Sequence, residues 1–302
     1  MQVSTKQFYQ NQVDQMATLQ KAQNDIQEKI TTGKEVSKPS DDLVAFSHAS
    51  QLLFQQSQLT QYNKNMTGAS SVMKSEDNAL TQSAVIVTRI QELCVQGSSD
   101  TYSAADRKTL ATEMSQLKQQ LMDLANSKDV NGDYIFSGSK SSTQPFSADS
   151  AGVVAYNGDT NHRMVEISQG SQIAVGSTGA EVFMHVAGNT STPNSSIFDS
   201  IDSAISKLNA GQSVSANVSD MKLALDQITN YQASNGARLS RVDLEQQNNQ
   251  TTQLNNKTAL SSFQDADVSA LIIELTQKST TLQASQSAFI KITGQSLFNY
   301  LR

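Results

Sequence analysis

Residues 52–80 read LLFQQSQLTQYNKNMTGASSVMKSEDNAL, with Leu52, Leu59, Met66, Met73 and Leu80 at intervals of seven. Two turns of an α-helix take slightly more than seven residues. A strict seven-residue apolar repeat therefore keeps one stripe of a long helix against a second long helix. The pattern predicts a helix from about Leu43 to about Gln96. Upstream, Ser37-Lys38-Pro39-Ser40-Asp41-Asp42 is a turn followed by a helix start, in which Ser40 or Asp41 is placed to cap free N–H groups. Gly33 ends an earlier helix whose seam is Met16, Leu19, Gln23, Ile26 and Ile30. Downstream, Gly97 to Asp100 is a loop, and a third helix is predicted over about Ala104 to Ser127.

Glycine then divides the chain. Eight of the 14 glycines fall between Gly132 and Gly188, and Pro145 and Pro193 fence the same region. Val153–Tyr156, Met164–Ile167 and Ile173–Val175 read as short strands, and Asn157-Gly158-Asp159 is a hairpin-type turn signal. Helix resumes near Ser196 with a stripe at Ile197, Ile201, Ile205 and Leu208. A long helix follows Gly211, carrying Met221, Leu225, Ile228, Leu239, Val242 and Leu254. The last helix begins at Asp265 and Asp267, acids suited to a helix start. It sets Val268, Leu271, Leu275, Leu282, Phe289 and Ile292 on one seam. The expected fold is mainly α with a small inserted β domain: an elongated antiparallel helical bundle or coiled coil with its termini paired. The expected parts are a terminal coiled coil (1–42 with 265–302), a helical rod (43–138 with 191–264) and the β insertion (139–190).

Gln, Asn, Ser and Thr make up 120 of the 302 residues, whereas charged residues are 17%. The chain is polar without being charged, unlike strongly charged disordered proteins. Its net charge of −6 argues against a nucleic-acid binder. No apolar run is long enough for a bilayer, and the N-terminus lacks the basic start and apolar core of a Sec-type signal. The lone Cys94 lies in an apolar helical stretch and reads as a buried small hydrophobe. His48, His162 and His185 are far apart and lack metal-ligand spacing. Asp129-Val130-Asn131-Gly132-Asp133 lacks the glycine position and closing glutamate of a calcium loop and reads as a helix-ending turn. No phosphate loop or nucleophile elbow is present. No catalytic, cofactor or metal residues are assigned, and the protein is not expected to be an enzyme. The two terminal segments bury too little alone to offset their ordering entropy, so they are expected to order against each other or against neighbouring chains.

Ile30 to Asp42, ITTGKEVSKPSDD, resembles the N-terminal signature of the bacterial flagellin superfamily. Asp265-Ala266-Asp267-Val268 through Leu297 to Arg302 resembles its C-terminal counterpart. Within the superfamily, the Ser-Lys-Pro-Ser-Asp-Asp form of the turn and Asn131-Gly132-Asp133-Tyr134-Ile135-Phe136-Ser137-Gly138 are similar to the hook–filament junction members rather than to filament flagellin. Gly236 to Asp243 and Gly179 to Met184 fit the same group, whereas Leu43 stands where the family often has proline. The resemblance implies signature turns at Gly33, Pro39, Asp41, Asp42, Asn131, Gly132 and Gly138. It implies a structural protein exported through the flagellar type III apparatus, forming a homo-oligomer in the flagellum with its β insertion facing outward. Its implied partners are the junction protein FlgK on the hook side, flagellin on the filament side and the export chaperone FlgN, with no membrane and no nucleic acid. The assembly seam is expected to be Met16, Leu19, Ile26 and Ile30 with Leu271, Leu275, Leu282 and Phe289. A short filament flagellin, a helical signalling bundle and an enzyme carried in the insertion are the alternatives.

Overall fold

The computed structural model describes residues 2–150, 152–184, 186 and 196–298. His185, Pro193 and Asn299 to Arg302 lie outside them. The order is α1 (Gln2–Thr32), α2 (Leu43–Gly97), α3 (Ala104–Ala125), β1 (Phe146–Ala148), β2 (Val154–Tyr156), β3 (Arg163–Ser168), β4 (Ser171–Val175), a single π-turn (Ala180–Met184), α4 (Ile197–Asn209), α5 (Ser215–Gln264) and α6 (Val268–Phe298). Two compact units result, residues 1–58 with 251–302 and residues 59–250, and α2 and α5 contribute to both.

In the second unit the seven-residue repeat of α2 meets a matching repeat in α5. Asn235 Nδ2 donates to the Met73 carbonyl at 2.7 Å, and Asn249 Nδ2 donates to the Leu59 carbonyl at 3.0 Å. Fourteen residues along α5 thus answer fourteen residues back along α2, which fixes an antiparallel register. Between these two bonds Met66 and Val242, both fully buried, share one apolar cluster. The same step of seven reaches Leu80 with Ile228, Val87 with Met221, and Cys94 with Val214, all six buried in the larger core. Asparagine takes two seam positions of α5, and Asn235 is completely buried. A buried polar side chain in a helix seam favours one register, at some cost in stability. Leu254, expected on the α5 stripe, is instead 64% exposed, because the seam runs through Asn249.

The larger core is closed by α3 and α4, which pack on each other. Both begin with a reciprocal capping box, Ser103 with Asp106 and Ser196 with Asp199. Four fully buried phenylalanines meet there. Phe136 and Phe146 each set an edge against Phe183, at 5.3 and 5.6 Å between centroids, and Phe198 lies beside Phe146. Phe146 belongs to β1, a strand the sequence pattern omits. The β1–β2 hairpin is therefore anchored in the helical core. The strands form two separate antiparallel pairs, β1–β2 and β3–β4. Asn157-Gly158-Asp159 does not join a hairpin as expected. It follows β2, where the Asn157 N–H donates to Pro145 O and the Asp159 carboxylate accepts from the Ser139 backbone N–H.

The second hairpin docks on α2 and α5 through Ile167, Ile173 and Val175. A buried polar group fixes its end. Glu76 is fully buried, and its Oε1 accepts the Ser177 N–H at 2.9 Å. Arg238 donates to the Gly176 carbonyl at 3.2 Å and to Ser177 Oγ at 3.0 Å. Its guanidinium stands 4.0 Å from Glu76 Oε1. Burial pushes the Glu76 carboxyl above its usual range, against the opposing pull of the Ser177 hydrogen bonds and Arg238. Cys94 is fully buried, and burial pushes its thiol up to about 12, so it is an inert core residue.

Two outcomes follow for stability. Asn235→Val should change unfolding free energy by less than about 1 kcal/mol, since the Met73 carbonyl keeps its helical partner. Asn235→Asp should cost about 3 kcal/mol, because it places an unpaired carboxylate in the seam; urea denaturation near neutral pH measures both. Glu76 has a folded pKa above its unfolded value. Its stabilising contribution is complete below the unfolded carboxyl range, about 4.3, and is lost as pH rises through the folded value. Glu76→Gln should abolish that part of the pH dependence in denaturation curves compared between about pH 4 and about pH 7.

Candidate functional site

His48 stacks on Phe263 at 5.1 Å, and His162 faces Glu181 at 3.3 Å. Among the described residues no group of three His, Cys, Asp or Glu is placed to hold a metal, and no helix is long and apolar enough to cross a membrane. The Asp129 carboxylate accepts the backbone N–H groups of Asn131 and Asp133, closing the turn after α3. Gly132 there adopts φ +87°, and Gly138 adopts φ +72°, where a β-carbon would strike Asp159.

What the first unit offers is a surface. Its two connectors are joined to each other. Gly33 ends α1 at φ +68°, and its carbonyl accepts the Ala266 N–H at 3.0 Å. The Glu35 N–H donates to Gln264 O at 2.8 Å, and Lys34 bridges Asp265. The signature acids divide their work differently from the sequence expectation. Asp41 does not cap α2; its Oδ2 accepts the N–H groups of Ser37 and Lys38, and these bonds lower its pKa. Asp42 is the cap, accepting from Val44 and Ala45 at 2.8 and 3.0 Å. Asp267 does the same for α6 through Ser269 and Ala270, while Asp265 accepts from Ser261 at the end of α5. Pro39 lies in the turn that Asp41 closes.

From this joint α1 and α6 run side by side in opposite directions. Their far ends meet where the Tyr9 ring sets an edge against Phe289, 5.9 Å between centroids. All eight expected seam residues are covered to some degree within one chain. Ile26, Leu271 and Leu282 are buried, whereas Met16, Leu19, Ile30, Leu275 and Phe289 are half-buried. Val268 and Ile292, counted on the same stripe, are exposed.

A second apolar set faces outward. Ile273 is 70% exposed and Ile290 68%, with Ile272 also exposed on the same helix; Leu43, Val44 and Phe54 do likewise on α2. A helix that is apolar on more than one side has more than one partner. The seam spacing misses these residues, although the run Leu271-Ile272-Ile273 signals them: three consecutive apolar residues cannot all face α1.

Residues 3–141 match the model of the bacterial flagellin N-terminal helical region. Flagellar hook-associated protein 3 of Salmonella typhimurium is 29% identical over 320 residues, covering 100% of both chains. Flagellar hook-associated protein 3 of Escherichia coli K12 is 30% identical over 316 residues, covering 99% of each. The crystal structure of flagellar hook-associated protein 3 from Legionella pneumophila superposes with a TM-score of 0.66 at 23% identity. The match covers 70% of this chain and 98% of that one. The chain belongs to the flagellar hook-associated protein 3 (FlgL) family.

Proposed function

We propose that the chain is a structural subunit of the bacterial flagellum, an adaptor that joins the hook to the flagellin filament and has no catalytic role. The observation that carries this is an end-to-end match to hook-associated protein 3 in a chain whose last helix is apolar on two sides. One side of α6 is covered by α1. The other presents Ile272, Ile273 and Ile290, a surface suited to the helices of neighbouring subunits. In the assembled junction the terminal pair (1–42 with 265–302) forms the inner coiled coil. Residues 43–138 with 191–264 form the rod, and the insertion (139–190) faces outward. The neighbours are further copies of the chain, FlgK towards the hook and flagellin towards the filament. Before assembly the chain is secreted through the type III apparatus with FlgN as its chaperone.

Polar uncharged residues suit this role. Export threads an unfolded chain, and the absence of a disulfide leaves nothing to lock it. Amides and hydroxyls in a seam hydrogen-bond a partner helix without burying a charge. A filament flagellin is the alternative, sharing the N-terminal helical region. Electron microscopy with labelled protein separates the two, since label confined to the hook–filament boundary fits only the junction subunit.

Deleting residues 265–302 should abolish incorporation into flagella while the helical body of residues 59–250 remains folded by circular dichroism. Ile273→Glu with Ile290→Glu should leave the melting temperature of the monomer unchanged, since both side chains are exposed. Junction incorporation should fall by more than about tenfold, as expected for charges placed at an apolar interface core. Normal incorporation of either variant would refute this assembly surface.

A further inference from the structure

Beside the π-turn of the second unit lies an open groove of about 660 Å³. Ala180, Leu223 and Tyr231 line it together with Thr160, Glu181 and Asp226. Leu223, Asp226, Gln227, Asn230 and Tyr231 all belong to α5, which supplies one wall. The π-turn supplies the other. It is tied to α5 because Gln227 Nε2 donates to the carbonyls of Glu181 and Val182, at 2.6 and 3.1 Å. Single π-turns expose backbone that an α-helix would close, and they recur at functional positions.

We propose that this groove docks a protein segment presenting a lysine or arginine flanked by apolar side chains. The charge of the site selects that occupant. None of the lining residues is a lysine or arginine. Glu181 is already engaged, with His162 at 3.3 Å and the Thr178 N–H at 3.3 Å. Asp226 is exposed and has no ion-pair partner among the described residues. A cationic head would pair with Asp226 while its methylene stem covers Leu223. The face of Tyr231 adds a cation–π partner. Burial and Glu181 both raise the Tyr231 pKa, as a negative local field would. Two carboxylates without a third ligand do not make a metal site, and the net charge of −6 disfavours an anionic partner. The inference is independent of the assembly surface on the terminal helices, since loss of peptide binding would leave incorporation through α6 untouched.

The test is methyl-detected NMR on the full chain, titrated with acetyl-Leu-Arg-Leu-amide and, separately, with acetyl-Leu-Glu-Leu-amide. The arginine peptide should shift the Ala180 and Leu223 methyl resonances saturably, and the glutamate peptide should not. Asp226→Lys should weaken binding by about tenfold, the size expected from reversing one partly exposed charge contact. Asp226→Asn, a smaller change, should weaken it in the same direction and keeps the test valid if lysine disturbs the fold. Equal shifts from both peptides, no saturable shift, or unchanged affinity in both variants would overturn the proposal. So would calcium chloride or spermidine alone reproducing the same shifts at the same affinity, which would mark a cation site without peptide recognition.

Discussion

The antiparallel register of α2 and α5 is the constraint on which the rest depends. Two asparagine amides, donating to carbonyls fourteen residues apart on the partner helix, mark the alignment of the seam. A slip of one heptad would put Asn235 opposite Met66 or Leu80, and Val242 opposite a position where an amide now bonds. With the register fixed, Glu76 and Arg238 face the same end of the β3–β4 hairpin and hold it. The aromatic cluster closes on the same helices, and the β1–β2 hairpin enters through Phe146. The hairpins share cores with the helices rather than building their own. That suits a chain with ten phenylalanines and no tryptophan.

Much of this was legible in the sequence. The seven-residue repeat located α2 to within a residue at each end, because a strict repeat over that length has few competing explanations. The three-residue strand β1 escaped notice, since Phe-Ser-Ala is too short to show alternation. The turn signal at Asn157-Gly158 was real as a bend but wrong as a hairpin, because β2 pairs backwards with β1. The asparagines of the seam were hidden by composition: among so many amides, a buried one looks like a surface one. Glu76 was hidden in another way. It lies three residues after Met73, hence on the same helix face, and only the partner hairpin explains a carboxylate there.

The terminal helices show the complementary case. Their inner stripe was readable from three-and-four spacing: α1 packs on α6, and Ile26, Leu271 and Leu282 are buried. The outer stripe was not, since spacing finds one face at a time and Ile272 and Ile273 belong to another. Residues 59–250 build two buried apolar clusters and leave Val85, Val95, Val130, Val153, Met164 and Leu244 exposed. The terminal pair leaves several of its own exposed. Polar, uncharged faces along the remaining surface limit what those residues attract, so that assembly is selective rather than general aggregation.

The central claim is that one unit completes its core alone and the other completes it with neighbours. Amide hydrogen exchange, measured on the free monomer and on the same chain assembled in flagella, tests it most directly. Amides of α2 and α5 within residues 59–250 should be strongly protected in both states, whereas those of Gln2–Thr32 and Val268–Phe298 should gain protection only on assembly. Equal, slow exchange of the terminal helices in the free monomer would contradict it.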